Sequence, residues 1–409
     1  MGLSILFLES FYGGSHRRFA DDFAAASSHR VNIYSMPPRF WKWRTRGAAP
    51  YFASAVSEPQ EYDLIIATDL LNLAELKGLW PCAPPPTLLY FHENQLLYPL
   101  SPGEERDFHY GLTDTLSALA ADRIAFNSRT HQAAFFEELP RFLSRFPDYR
   151  LTGCAEELRQ KSRVLYPGIS AGLESYAAPR QQAGGGAAAQ QRGPLIIWNH
   201  RWEHDKNPEG FFRPLFRLAE EGLPFRLALL GEQYSKAPPV FSEARQRLGD
   251  RIIRFGYAEE REEYLRLLGR GDLVVSTARQ ENFGLAVIEA IRCGCRPLLP
   301  RRLSYPELIP ERFHPAVLYD DEEELYRRLR DILRSPDGIA LPALAGEMRR
   351  FEWPNLVDEY DALCLELAAE GRRERGAGPG APDYRRGAPG YNRGDSRGDS
   401  RSGRRGASQ

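Results

Sequence analysis

STARQENFGLAVIEAIRCGCRP, residues 276–297, runs from the end of a β-strand into a short helix. The strand is the apolar DLVVST (272–277). The helix is expected to begin near Gly284 and to stop at Gly294, a residue type suited to the left-handed turn that ends helices. A helix starting there leaves the backbone N–H groups of Phe283, Gly284 and Leu285 without carbonyl partners, at its positive end. Such an end seats an anion or a hydroxyl. Glu281 stands beside it, and Glu289 follows about two turns along a regular helix. One carboxylate can grip a polyol, the other a ribose diol. The competing reading is an amphipathic helix with surface glutamates. The intervening Phe-Gly and the preceding strand favour a site.

Outward from this stretch the same alternation repeats. LIIWNH (195–200), FRLALLG (225–231), RIIRFGY (251–257) and RPLLP (296–300) read as strands separated by amphipathic segments such as 259–269. An earlier series, LSILFL (3–8), VNIYSM (31–36), DLIIAT (63–68), TLLYFHE (87–93), RIAFNS (123–128) and SRVLYPGI (162–169), alternates with helical patterns at 16–26, 107–121 and 129–145. Strands alternating with helices imply parallel sheets covered on both faces. The fold class is therefore α/β, with two Rossmann-like domains facing across a cleft. The expected divisions are 1–176, a low-complexity linker at 177–194, 195–353, a closing helix at 354–370, and a disordered Arg/Gly-rich tail at 371–409. Neither half carries GxGxxG or GxxxxGK[ST], so dehydrogenase and P-loop readings lose their support.

The 409 residues hold 54 basic and 55 acidic side chains, so no overall field points to a nucleic acid or a membrane. The balance hides an acidic body and a basic tail, with ten Arg against four acidic residues after Glu370. No apolar run reaches the 18 or more residues of a membrane span, and MGLSILFLES lacks the basic start of a signal peptide. The five scattered cysteines suggest neither a disulfide framework nor structural zinc. Cytoplasm is the expected compartment, and no membrane contact is expected. The oligomeric state is not encoded legibly.

Chemistry concentrates at strand ends. In NHRWEHDKN (199–207), Arg201 and Lys206 can converge on a diphosphate. In ESFYGGSH (9–16), Gly13 and Gly14 let the backbone approach a phosphate or sugar closely, and Ser15 and His16 open the next helix. His92, Glu93 and Asn94 form a polar cluster at a strand end facing the cleft. His109 and His131 lack such a context and read as structural. PPRFWKWRTRGAAPY (37–51) interleaves Arg39, Lys42, Arg44 and Arg46 with Phe40, Trp41, Trp43 and Tyr51. Cations can bind phosphates there and rings can stack on unpaired bases. A loop whose tryptophans cover the core is the alternative.

These residues carry a resemblance. The second half resembles the retaining GT-B glycosyltransferases of family 4. It has Arg201 and Lys206 five apart, the Gly-aromatic turn Gly256-Tyr257, Glu281 and Glu289 in an E-x-F-G context that includes Asn282, and Pro306-Glu307. The resemblance implies Arg201 and Lys206 on a donor diphosphate, Glu281 on the transferred sugar and Glu289 on the nucleotide ribose. ESFYGGSH, FHENQLLYP (91–99), AFNS (125–128) and YPG (166–168) narrow it. Together they resemble the tRNA-queuosine α-mannosyltransferases, also called glycosyltransferase-like domain-containing proteins. What this implies is mannose transfer from GDP-mannose to the queuosine of tRNA-Asp. His92 and Glu281 would be catalytic. Ser15, His16, Arg39, Trp41, Lys42, Trp43, Arg44, Glu93 and Asn94 would face the acceptor. No Asp-x-Asp motif is present, so neither a metal nor another cofactor is expected. The rivals are a family 4 type enzyme with a small glycan or lipid acceptor, and a non-catalytic RNA-binding protein on the same fold.

Overall fold

Two parallel six-stranded sheets carry the chain in the computed structural model, which describes residues 2–99, 103, 105–177, 193–232, 237–336 and 338–376. The first sheet comprises β1 (Ser4–Glu9), β2 (Arg30–Ser35), β3 (Leu64–Thr68), β4 (Thr87–Phe91), β5 (Arg123–Phe126) and β6 (Ser162–Val164), in the order β2-β1-β3-β4-β5-β6. The second comprises β7 (Leu195–Trp198), β8 (Arg226–Leu229), β9 (Ile252–Phe255), β10 (Leu273–Val275), β11 (Arg296–Pro300) and β12 (Leu318–Tyr319), in the order β12-β11-β10-β7-β8-β9. β3, β4 and β7 are buried along their whole length, because helices cover both faces. Chain order reverses between β1 and β3 and between β7 and β10. In parallel sheets ligand crevices open beyond the carboxyl ends of the strands at such points. The residues that follow these four strands therefore line the cleft.

Three elements differ from their expected extents. The strand expected over 162–169 stops at Val164. Beyond it Ile169 leaves the sheet, makes an isolated bridge to Glu352 and donates to the Phe351 carbonyl at 2.8 Å. The basic, aromatic segment becomes a helix, Trp41–Ala55. The closing helix spans Trp353–Gly376, taking in the first residues assigned to the tail. It returns to the first half, where Tyr360, Leu363, Cys364 and Leu367 pack with Ile5, Phe7, Ile66 and Tyr90. Most of the expected linker, 178–192, and the tail beyond Gly376 lie outside the described residues. Among the described residues no helix is long and apolar enough to cross a membrane.

The helix that decided the fold runs Leu285–Arg292, with Gly284 before it at φ 93° and Gly294 after it at φ 99°. The Gly294 N–H reaches the Ile291 carbonyl and the Cys295 N–H the Ala290 carbonyl, both at 2.9 Å. This pair of bonds is the Schellman ending. Cys293 and Cys295 are buried around it. Gly294→Ala is expected to lower the unfolding free energy by roughly 1–2 kcal/mol, the cost of a side chain in left-handed backbone. Chemical denaturation measures it, and an unshifted midpoint would show that the turn tolerates a side chain.

Candidate active site

β1 delivers Glu9 to the cleft, and the loop after it turns into the helix Gly14–Ala26. The Glu9 carboxylate is buried and accepts the Phe11 N–H at 2.8 Å. Its Oε1 lies 3.4 Å from Nδ1 of His16, and its Oε2 lies 4.0 Å from Nε2 of His92. The two imidazoles are packed with centroids 4.2 Å apart. His92 directly follows β4. Asp69, directly after β3, accepts the N–H groups of His92 at 3.1 Å and Glu93 at 3.3 Å. Burial pushes the Asp69 carboxyl up to about 7 against the pull of His16. Burial likewise works against charge on His16, yet Glu9, with Asp69 and Glu93 behind it, outweighs burial and raises His16 to about 9. Burial, reinforced by the His16 charge, holds His92 well below its ordinary value.

The second half supplies cations and carboxylates already matched to one another. The Lys206 ammonium donates to the Gln280 carbonyl at 2.7 Å and lies 3.2 Å from Asp205 and 3.4 Å from Glu281. Burial opposes its charge, but Glu281 and Asp205 raise it above the ordinary lysine range. Arg201 pairs with Glu203 at 3.2 Å. Glu289 is buried and meets Arg18 at 2.7 Å, Arg261, and the Tyr264 hydroxyl at 3.3 Å. Despite burial, the two arginines hold its carboxyl below the usual range.

Several of these contacts cross between the halves. Arg18 belongs to the first half and Glu289 to the second. Arg201 donates to the Tyr98 hydroxyl at 3.3 Å. The Ser128 hydroxyl donates to the Asn282 carbonyl at 2.6 Å, and the Asn282 amide donates to the His92 carbonyl at 3.2 Å. Asn127 donates to that same carbonyl at 2.7 Å. Glu307 accepts four bonds at 2.7–2.8 Å, from the Arg129 and Thr130 N–H groups, the Thr130 hydroxyl and the Tyr166 hydroxyl. It thereby caps the positive end of the helix Arg129–Leu143 from across the cleft.

The structure brings Glu9, His16, His92 and Glu93 together in one half, and Arg201, Lys206, Glu281, Asn282 and Glu289 in the other. Phe283 is buried, and Gly284 and Leu285 start the site helix as expected. Ser15 is exposed, and Gly14 sits at φ 53° with open space where a Cβ would stand. Gly256 turns at φ 114°, and the Tyr257 ring beside it is half exposed.

Three of the expected site residues are engaged with the protein itself. A Cβ on Gly13 would lie 2.4 Å from Pro38, so Gly13 makes room for the protein's own chain. Asn94 is buried and its side-chain oxygen accepts the Leu96 and Leu97 N–H groups, closing a turn, while its amide nitrogen has no hydrogen-bond partner among the described residues. Arg44 is 5% exposed and its guanidinium donates to the Pro37 carbonyl at 2.9 Å, which holds it inside the helix Trp41–Ala55. Lys42, Trp43 and Arg46 lie on the outer face, Arg39 and Phe40 precede the helix exposed, and Trp41 packs on Tyr110. His131 is buried against Asn127, in keeping with a structural reading, and His109 is exposed. Sequence reasoning did not single out Arg18, Asp69, Tyr98, Asn127, Ser128, Arg261 or Tyr264 as site residues. It quoted Glu9 and Glu307 only within motifs. The available signals are the motifs themselves: FHENQLLYP holds Tyr98, and AFNS holds Ser128 and Asn127, which bonds the His92 carbonyl.

Comparison with known proteins adds the following. Residues 4–169 match the family described as "tRNA-queuosine alpha-mannosyltransferase N-terminal", and residues 186–347 match "Glycosyl transferases group 1". The chain is 37% identical over 336 residues to the tRNA-queuosine alpha-mannosyltransferase of Drosophila melanogaster, covering 81% of this chain and 87% of that one. Among solved structures it is similar to sucrose-phosphate synthase from Thermosynechococcus elongatus (TM-score 0.66, 17% identity, 90% of this chain and 100% of that one). It is also similar to Anabaena Alr3699/HepE in complex with UDP (TM-score 0.63, 18% identity, 89% of this chain and 100% of that one). The architecture is GT-B.

Glu307→Ala removes four bonds between the halves at once. The expected loss is about 1.5–3 kcal/mol of stability, the range for hydrogen bonds to a charged group. It should be accompanied by a larger radius of gyration in small-angle X-ray scattering. A variant with both values unchanged would show that other contacts hold the halves together.

Proposed function

The chain belongs to the tRNA-queuosine α-mannosyltransferase family, and from that premise we propose that it moves mannose from GDP-mannose to the queuosine of tRNA-Asp in the cytoplasm. One observation carries the RNA side of this reading. Phe40, 72% exposed, and Trp43, 61% exposed, stand with Arg39, Lys42 and Arg46 on an open surface. That surface is joined directly to the polar centre. Pro38 fills the space at Gly13, and the Tyr12 N–H bonds the Met36 carbonyl at 2.9 Å. A stacked, phosphate-bound anticodon loop would thus lie next to His16 and His92.

In this reading Arg201, Lys206 and the helix N-terminus at Gly284 meet the charge that develops on the departing diphosphate. Glu281 grips the mannose and Glu289 the ribose. The acceptor hydroxyl attacks on the face the diphosphate leaves, and a phosphate oxygen takes its proton. His92 positions sugar and acceptor. The decisive experiment incubates the protein with queuosine-bearing tRNA and a panel of nucleotide sugars, then reads the nucleosides by mass spectrometry. One added hexose, from GDP-mannose and on tRNA-Asp, is expected. Transfer to a small glycan or lipid without RNA would overturn the reading. Glu281→Ala and Lys206→Ala should each lower turnover by about a hundredfold or more, the scale of lost transition-state electrostatics.

The RNA surface has its own test. Replacing Arg39, Lys42 and Arg46 together should weaken tRNA binding and flatten its salt dependence, because each phosphate contact adds to the slope. Trp43→Ala should cost about 1–3 kcal/mol of binding with the slope kept, as lost stacking does. Arg44→Ala should lower stability instead, since its side chain is buried and one guanidinium nitrogen ties the helix to the Pro37 carbonyl. Unchanged tRNA affinity and slope in the triple variant would move the RNA surface elsewhere.

A further inference from the structure

Glu9 ends β1 with its side chain wholly buried, and its Oε2 has no hydrogen-bond partner among the described residues. Nε2 of His92, which faces it at 4.0 Å, has none either. On the other side Oε1 meets Nδ1 of His16 at 3.4 Å. A carboxylate withdrawn from water between two imidazoles calls for a positive charge. Two kinds fit in principle: a metal ion held by all three side chains, or a proton on one ring. Distance favours the proton. Two ligands of one tetrahedral zinc ion, with bonds of roughly 2.0–2.2 Å, stand about 3.4 Å apart. His92 stands 4.0 Å from the carboxylate, and a proton at His16 needs no such convergence.

The surroundings decide which ring takes the proton. His16 is nearer to Glu9 and is also faced by Asp69, beyond β3, and Glu93, beyond β4. His92 is faced by His16 and, from the helix Arg129–Leu143, by His131. From the second half, neutral Asn282 reaches its carbonyl. His16 thus has the nearer carboxylate oxygen and two further acids, while His92 meets the far oxygen of Glu9 at 4.0 Å, two imidazoles and the Tyr90 ring. We infer that Glu9 and His16 form a positioning pair for His92: His16 holds the proton that Glu9 demands, and His92 is left a neutral imidazole that accepts a hydrogen bond from the hydroxyl of the acceptor diol that does not attack. A protonated imidazole has only donors, so a charged His92 could not do this. The opposite shifts of the two rings agree with this division. The inference rests on the proposed transfer to a hydroxyl.

The pair makes an unusual demand on variants. In His16→Gln, Glu9 keeps its need for a proton and His92 is the remaining ring in reach. Transfer at pH 7 should fall at least tenfold and climb as pH rises. Adding Glu9→Gln removes the demand, so the double variant should recover most of that loss, whereas two purely structural lesions would compound. Histidine ring titration by NMR reads the same states without substrate. In the unaltered protein His16 should titrate near 9 and His92 should stay neutral from pH 6 to 9. In His16→Gln a new midpoint above 6.5 should appear and vanish again in the double variant. His16 titrating at its ordinary value, a double variant no better than the single, or one zinc per purified chain lost on His16→Gln would each overturn the inference. If no variant and no parent transfers mannose to queuosine, the proposed function fails, and the titrations still decide the pair.

Discussion

Trp353 covers Gly168 so closely that a Cβ on that glycine would sit 2.3 Å from the indole. On either side the Ile169 N–H bonds the Phe351 carbonyl at 2.8 Å and the Trp353 N–H bonds the Ile169 carbonyl at 3.0 Å. The chain leaves the first half at this place and returns to it here, so the second half is pinned at both ends. Next to the pin, buried Glu352 takes the Arg292 guanidinium at 2.7 Å. Arg292 ends the helix whose other end, at Gly284, faces the cleft, and a cation at a helix carboxyl terminus is favourably placed. The crossing point and the candidate site are thus two ends of one rigid rod. A buried pair that loses one partner leaves an uncompensated charge, which resists sliding of the rod.

The two sheets and the Glu281–Glu289 spacing were legible because they are local. An apolar strand, a turn and a helix closed by Gly294 can be read within one short window. Residues whose meaning depends on distant partners were not. Glu9 is the last letter of an apolar strand, and only the fold sets it between His16 and His92. Glu307 finds its partners Arg129, Thr130 and Tyr166 in the other half. The side of Gly13 where a Cβ would stand is taken by Pro38, 25 residues on. Arg44 looks like its basic neighbours until the helical phase of the segment is known. Once the phase is set, Lys42 and Arg46 fall on one side and Arg44, Ala48 and Phe52 on the other.

The cleft balances its own charges. Lys206 rests on Glu281, and Glu289 rests on Arg18 and Arg261. In the proposed reaction a nucleotide sugar inserts into these pairs, its diphosphate competing for Lys206 and its ribose for Glu289. Binding is then an exchange of partners, and the net affinity is a difference between strong contacts. Because Arg18 comes from the first half, the exchange at Glu289 also senses how the halves meet.

The helix Trp41–Ala55 lays the Trp43 indole across Gly47, where a Cβ would be 2.6 Å from the indole nitrogen. Of the six tryptophans, Trp80, Trp198, Trp202 and Trp353 are buried and Trp41 is half-buried against Tyr110, while Trp43 stands open to water. Its fluorescence is therefore the red-edge, quencher-accessible part of the protein's emission. The molecule carries an optical label on the face where a nucleic acid would stack, and it needs no dye to report what settles there.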